Sequence, residues 1–306
     1  MKSSLKGINR KRNLQWLSMI VIPVLSVFIF SYIPMFGIII AFKRYRFNEG
    51  ILGSKWVGLK NFENFVKSQD FFNITFNTIS LNIIFIFVGI VAAVTVAILI
   101  YMIKSRTATK IYQTILLTPH FLSWVIVSYM AYALLNPQYG IMNNILTKIG
   151  LEPVQWYSEP KVWPVILTIA SVWKHVGMDC IVYYAALMGI DSSLFEAADI
   201  DGAKRWQRTR YVIIPCLVPL IVMLSILKVG GIFRADFGLF YQLPRDIGTL
   251  YSTTDVIDTY IYRTMAKVGD MSLSSAVGVL QSIVGCIMVL CTNWVSKKID
   301  SELGLF

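Results

Sequence analysis

Glu196-Ala197-Ala198-Asp199-Ile200-Asp201-Gly202-Ala203-Lys204-Arg205-Trp206, running on to Val212-Ile213-Ile214-Pro215, is the longest charged segment between two long apolar runs in the second half of the chain. Ser193 stands three residues before Glu196, the spacing of a capping box, so a helix is predicted to start there. Ala197 and Ala198 favour helix and leave a low-relief face that a partner can approach closely. Gly202 can break or bend that helix, and Pro215 marks where the next segment begins. The expectation is a short helix, a bend, a basic second helix and then a membrane-spanning run.

Outside this stretch the chain is dominated by apolar residues. Its 306 residues are 56% hydrophobic and 15% charged, whereas an ordinary soluble domain is about 25% charged. Several apolar runs exceed the roughly 20 residues that cross a bilayer as a helix. The fold class expected is therefore all-α, a polytopic membrane protein with six transmembrane helices. A net charge of +11 does not call for nucleic acid here. Basic residues of a membrane protein mark cytosolic flanks and contacts with membrane lipid headgroups. Cys180, Cys216, Cys286 and Cys291 fall in or beside apolar runs without metal-ligand spacing, so they are expected to be small buried hydrophobes.

In chain order, residues 1–14 form a basic tail with Lys2, Lys6, Arg10, Lys11 and Arg12. A first transmembrane helix covers 15–42, with Pro23 and Pro34 as kink points. An extracellular loop covers 43–69. A five-helix core covers 70–296, with spans near 76–103, 111–135, 162–188, 212–232 and 273–295, a cytosolic loop at 189–211 and a long outer loop at 233–272. Residues 297–306 form a cytosolic tail. Six spans place both termini on one side. The segments on that side carry fourteen Lys or Arg against twelve on the other, but they are much shorter. Their basic density is therefore higher, and that side is read as cytosolic, although Lys43, Arg44 and Arg46 oppose this.

Uphill transport needs an energy source, and the sequence contains no Gly-x-x-x-x-Gly-Lys-Ser/Thr loop to cradle ATP phosphates. If transport is active, a partner hydrolyses ATP and force crosses a protein contact. The opening stretch is the expected contact, with Glu196 meeting a basic group on the partner and the alanines fitting a cleft. Asp201, Arg205 and Trp206 are expected to orient the two short helices.

Ionisable groups inside spans face protein or water rather than lipid. Lys174, His175 and Asp179 lie in the fourth span, and His175 and Asp179 are four apart, so they can pair on one helix face. Trp173 and Tyr183 share that span. Either these residues line a pathway or they lock neighbouring helices together. In the 233–258 segment, Asp236, Phe237 and Tyr241 suit a cap over the pathway or a docking surface. Asp255 and Asp258 could share a helix face, but nothing nearby completes a catalytic site. No catalytic residue and no metal site are expected.

Glu-Ala-Ala, three residues, Gly, nine residues and Ile-x-Leu-Pro is the pattern of the cytoplasmic loop in permease subunits of bacterial ABC importers, and the opening stretch resembles it. Val212 and Ile214 stand at its aliphatic positions, and Thr209 stands where the pattern carries an aromatic. Trp173-Lys174 through Gly177, Tyr184-Ala185-Ala186-Leu187 and Gly189-Ile190-Asp191 resemble carbohydrate-uptake permeases. Ala235 to Tyr241, Pro244-Arg245-Asp246, Thr254 to Tyr260, the Gly50 to Phe62 loop and Leu303-Gly304-Leu305-Phe306 resemble the polysaccharide and complex-oligosaccharide branch. The resemblance covers nearly the whole chain. It implies a type I importer permease in the bacterial plasma membrane that moves an oligosaccharide. It further implies a second homologous permease, two cytosolic ATPase subunits and an extracellular sugar-binding protein. On that reading Glu196, Ala197, Ala198, Asp201, Gly202, Ala203, Arg205 and Trp206 couple to the ATPase. No cofactor is expected in this chain; ATP and Mg would belong to the partner. The alternative within transport is an ABC permease for a different solute, such as a peptide or amino acid. A membrane-embedded enzyme and a non-transporting receptor or scaffold are the rivals from other classes.

Overall fold

The structure, a computed structural model, describes residues 16–299. The expected basic tail 1–14 and positions 300–306, with the Leu303–Phe306 resemblance, lie outside the described residues. Five helices are long and apolar enough to cross a bilayer: α1 (Trp16–Phe42), α4 (Asp70–Tyr101), α8 (Trp163–Met188), α10 (Arg205–Gly230) and α14 (Met271–Ile299). The expected third span is not one straight helix. Arg106–Phe121 (α5) and Trp124–Leu135 (α6) meet at 98°, and counting them as one broken span makes six. Two local features cause the break. Pro119 cannot continue a helical ladder, and Ser123 starts a new helix by accepting a hydrogen bond from the Ile126 amide at 3.3 Å.

Proline also shapes α1 and α10. The helix runs through Pro23, but a wide π turn at Phe28–Tyr32 precedes Pro34. A second π turn, Thr209–Ile213, precedes Pro215. A proline lacks the amide hydrogen and crowds the carbonyl four residues back, and a wide turn relieves both. Pro215 therefore does not begin a new element. The expected basic second helix and the fifth span are one helix that starts at Arg205.

By internal contacts the chain divides into two units, one up to Lys67 together with Thr264–Val279, the other Ser68–Arg263 together with the residues from Leu280 onward. In the first unit, β1 (Lys43–Arg44) pairs antiparallel with β2 (Lys55–Trp56) around the short α2 (Gly50–Gly53). Lys43 Nζ donates to the carbonyls of Ile51 and Leu52 at 2.8 and 2.9 Å, closing the hairpin. Phe42 stacks on Trp56, and Asn61 in α3 (Lys60–Val66) donates to the Ala41 and Lys43 carbonyls. The apolar side chains of α1 are exposed from Trp16 to Phe36, and only its last turns are covered, with Ala41 buried; the exposed part is a surface that water penalises and lipid tolerates.

The second unit carries two apolar cores at opposite ends of the same helices. One gathers Leu81, Val127, Leu135, Trp163, Leu167, Leu239, Phe240, Leu243, Leu250 and Val256. The other gathers Ala93, Ala97, Ile98, Ile100, Cys180, Tyr183, Leu187, Ile213 and Leu217. Helices α4 and α8 supply both and pack along each other. The 233–272 stretch is not the expected open loop. It folds into α11 (Phe237–Gln242), α12 (Tyr251–Thr254) and α13 (Ile257–Arg263), and Leu239, Phe240, Leu243, Leu250 and Val256 are buried in the first core. Apolar residues at these spacings bury once folded, which the many charges of the segment conceal in a hydropathy reading. The cysteines also differ from expectation: Cys180 is buried, but Cys216, Cys286 and Cys291 are exposed, and all four are free thiols.

Candidate functional site

Between the two apolar cores lies a cavity of about 390 Å³ in which charged and polar side chains stand among apolar ones such as Ile86, Val172, Val176 and Leu239. Its walls include Asn82, Phe85 and Gly89 from the middle of α4 and Ser171, His175 and Asp179 from the middle of α8, with Lys228 from α10 and Arg234 and Asp236 beyond it. Ser171 to Asp179 stands roughly 12 to 24 Å along α8, at a rise of about 1.5 Å per residue. The cavity is thus at mid-span depth, where ionisable groups are costly and face protein partners or a water-filled space rather than lipid.

The partners are not those expected from the helix face. Asp179 does not pair with His175. Its Oδ2 accepts from Lys228 Nζ at 2.6 Å, both side chains half-buried, and His175 Nδ1 lies 2.9 Å from the Ser171 carbonyl. That contact requires the hydrogen on Nδ1, and in the neutral ring Nε2 is then an acceptor. Asp236 accepts from Trp124 Nε1 at 2.7 Å and, as N-cap of α11, from the Leu239 amide at 3.3 Å. Gly238 allows this approach: a Cβ there would lie 2.2 Å from Trp124 Cδ1.

Of the pathway residues expected from sequence, the cavity brings together His175, Asp179 and Asp236. The others stand elsewhere. Lys174 is buried, and its ammonium donates to the carbonyls of Pro119, His120 and Leu122, with Trp124 5.2 Å away. It closes the α5–α6 break, where a helix end leaves carbonyls unpaired and carries partial negative charge. Gly177, three residues on, brings α8 against α5 so closely that a Cβ would lie 1.9 Å from the Leu116 carbonyl oxygen. Tyr183 is buried in the second core and Trp173 is an exposed side chain. Phe237 and Tyr241 stack at 5.0 Å and both meet Tyr262. Lys228, Arg234 and Asn82 are cavity residues absent from the expected pathway set. The signal for two of them was present, since Asn82 and Lys228 are polar residues inside apolar runs.

Asp255 and Asp258 are not a carboxylate pair. Asp255 binds Arg263 and accepts from Thr259 Oγ1 at 2.7 Å; Arg263 also reaches Asp246 at 3.3 Å. Burial pushes the Asp255 carboxyl above its usual range, against the pull of Arg263. Asp258 accepts from the Ala235 amide at 2.8 Å and Gln281 Nε2 at 3.0 Å, and burial again raises its carboxyl despite these donors. Arg245 and Asp246 both hold a left-handed backbone, with φ of 59° and 52°. Tyr132 under the Arg245 guanidinium at 4.2 Å, and Tyr251 and Arg263 on the Asp246 carboxylate, secure that turn.

At the other end of α8, α9 (Ser192–Ile200) carries Glu196 and Ala197 exposed and Ala198 half-buried. Its cap is Asp191, which accepts from the Ser193 amide at 3.0 Å, rather than the expected Ser193. That donor and its neighbourhood hold the Asp191 carboxyl below its usual range. Gly202, at φ +70°, ends the helix: its amide donates to the Asp199 carbonyl and the Ala203 amide to the Ala198 carbonyl, a Schellman closure. The two short helices are tied by Asp199 and Arg208 at 2.6 Å. Asp201, Arg205 and Trp206, expected to set that angle, are exposed, and Ala203 is half-buried. Thr209 is buried and donates to the Arg205 carbonyl.

The family described as binding-protein-dependent transport system inner membrane component matches residues 89–301. "Protein LplB" of Bacillus subtilis is 32% identical over 95% of this chain and 91% of its own. The polygalacturonan/rhamnogalacturonan transport system permease protein YteP of the same organism is 33% identical over 94% and 89%. A chain of a bacterial alginate ABC transporter, solved with an alginate pentasaccharide-bound periplasmic protein, superposes with a TM-score of 0.84 at 33% identity, covering 94% of this chain and 96% of that one. The mid-span cavity with its charged side chains, the exposed elbow at Gly202 and the family match over most of the chain agree: this protein is an inner membrane component of a binding-protein-dependent transport system.

Proposed function

We propose that the chain is one of two permease halves of an ATP-driven importer that carries an oligosaccharide across the bacterial plasma membrane. The observation that carries this reading is the cavity with charged side chains held at mid-span between two apolar cores, the depth at which transporters hold their cargo. The saccharide polymers in the names of the related transport systems favour a sugar over a peptide or amino acid. An extracellular binding protein delivers the cargo, and the related complex with a periplasmic protein supports such a partner. The 192–211 segment faces the cytosol, with both termini on that side, and inserts the exposed Glu196 and Ala197, beside the half-buried Ala198, into an ATPase subunit that holds ATP and Mg. Two such subunits and a second permease complete the assembly. Closure of the ATPases drags α9, and the Asp199–Arg208 tie passes the motion to α10, which lines the cavity.

The test is uptake of a panel of labelled oligosaccharides, peptides and amino acids in cells with and without this chain. Loss of uptake confined to oligosaccharides supports the proposal. Loss confined to peptides or amino acids replaces it with the alternative, and an assembly that purifies without an ATPase subunit removes the coupling role.

A further inference from the structure

We infer that the mid-span cavity is built to receive a carboxylate, and that Arg234 is the residue that selects saccharides bearing one. The inference rests on the oligosaccharide reading above and names the chemical class of its cargo.

The argument is a balance of donors and acceptors around one cavity. The acids are already engaged. Asp236 accepts at both oxygens, from Trp124 and from the Leu239 amide. Asp179 accepts Lys228 at Oδ2. Asn82 directs its amide hydrogens at the Ile232 and Arg234 carbonyls, 2.8 and 3.3 Å away. The cations are not used up. Lys228 keeps ammonium hydrogens beyond the one given to Asp179. The Arg234 guanidinium makes no hydrogen bond and no ion pair among the described residues, although its field reaches Asp258. The side-chain acceptor atoms left over are Asp179 Oδ1, Ser171 Oγ and, in the neutral ring, His175 Nε2, fewer than the five N–H donors of a guanidinium. A neutral sugar presents hydroxyls that donate and accept, and suits a balanced lining. A carboxylate only accepts, and it fits the fork of an arginine with two parallel bonds.

Arg234 is also held in place. Four consecutive residues have a backbone group gripped by a side chain from another element. The carbonyls of Ile232 and Arg234 are held by Asn82, that of Phe233 by Gln281 at 2.7 Å, and the Ala235 amide by Asp258 at 2.8 Å. The gripped backbone fixes where the exposed Arg234 side chain starts, so only its own rotamer freedom remains to be lost when cargo arrives.

The experiment compares uptake of labelled tetragalacturonate with its fully methyl-esterified form, which keeps the shape and removes the charge. Cells carry the wild-type chain, Arg234→Gln or Arg234→Lys, with the binding protein unchanged and membrane abundance checked by immunoblot. The wild type should prefer the acid. The acid-to-ester uptake ratio should fall about tenfold in Arg234→Gln and less in Arg234→Lys. An unchanged ratio in Arg234→Gln, or a wild type that prefers the ester or takes up neither form, overturns the inference. Import of other oligosaccharides in the panel above would still uphold the functional reading.

Discussion

Lys228 Nζ lies 2.6 Å from Asp179 Oδ2, so an ion pair joins α10 to α8 at the wall of the cavity. It links the helix that starts beyond the Gly202 elbow to the helix that carries most of the polar mid-span residues. Both side chains are half-buried, so the pair is neither a surface salt bridge nor a fully dry one.

Removing one partner leaves the other as an uncompensated charge at mid-span depth. Lys228→Met or Asp179→Asn should each lower stability by about 1–2 kcal/mol, below the cost of breaking a fully buried pair because the cavity is open to one side. Uptake should fall with either. The swapped pair Asp179→Lys with Lys228→Asp should recover part of both. Thermal unfolding in detergent and uptake in cells read the two effects; a swap no better than the singles would show that position, not charge, matters.

Lys174 behaves as a structural residue. Lys174→Met deletes the donor to three part-buried carbonyls at the α5–α6 break, of which that of Pro119 keeps the Leu122 amide at 3.2 Å. The loss should be about 2–4 kcal/mol and appear as reduced folded protein, with the substrate preference of whatever remains unchanged. A shift in preference at normal abundance would return Lys174 to the pathway.

Two glycines should separate steric from conformational effects. Gly177→Ala places a Cβ against the Leu116 carbonyl oxygen and must push α8 off α5, a cost of about 2–3 kcal/mol. Gly202→Ala meets nothing within 4 Å, so its cost is only that of a left-handed φ, about 1–2 kcal/mol. Its consequence should be uncoupling: membrane abundance near normal, uptake reduced and ATPase activity no longer stimulated by cargo. Unchanged uptake in Gly202→Ala would detach the elbow from the coupling role.

Asp258 gives a pH signature. Burial raises its carboxyl in the folded state above the unfolded value of about 3.9. The folded chain therefore holds the proton more tightly, so this contribution to stability is present below the unfolded value and is lost as pH rises through the raised one. Asp258→Asn keeps an acceptor for the Ala235 amide and for Gln281 while removing the charge. The variant should match or exceed the wild type in melting temperature at pH 7, with a flatter dependence above pH 4. A variant less stable at pH 7 would show that the carboxylate charge itself is needed.

The amino-acid sequence by itself determined the membrane class, the positions of the long spans and the turn at Gly202. Hydropathy accumulates along a contiguous stretch, and a left-handed turn needs only the local freedom that glycine has. It did not determine which charges meet. His175 and Asp179 are neighbours along α8, yet Asp179 faces Lys228, forty-nine residues away in the chain. Lys174 stood at the right depth for a pathway but points into a helix break that exists only because Pro119 and Ser123 bend the chain by 98°. Nor could the sequence show that the charged 237–263 region hides Leu239, Phe240, Leu243, Leu250 and Val256 in a core. Interhelical approach decides these outcomes. It is set by contacts such as Gly177 against Leu116, whose strength depends on distances of a few ångströms that no single segment contains.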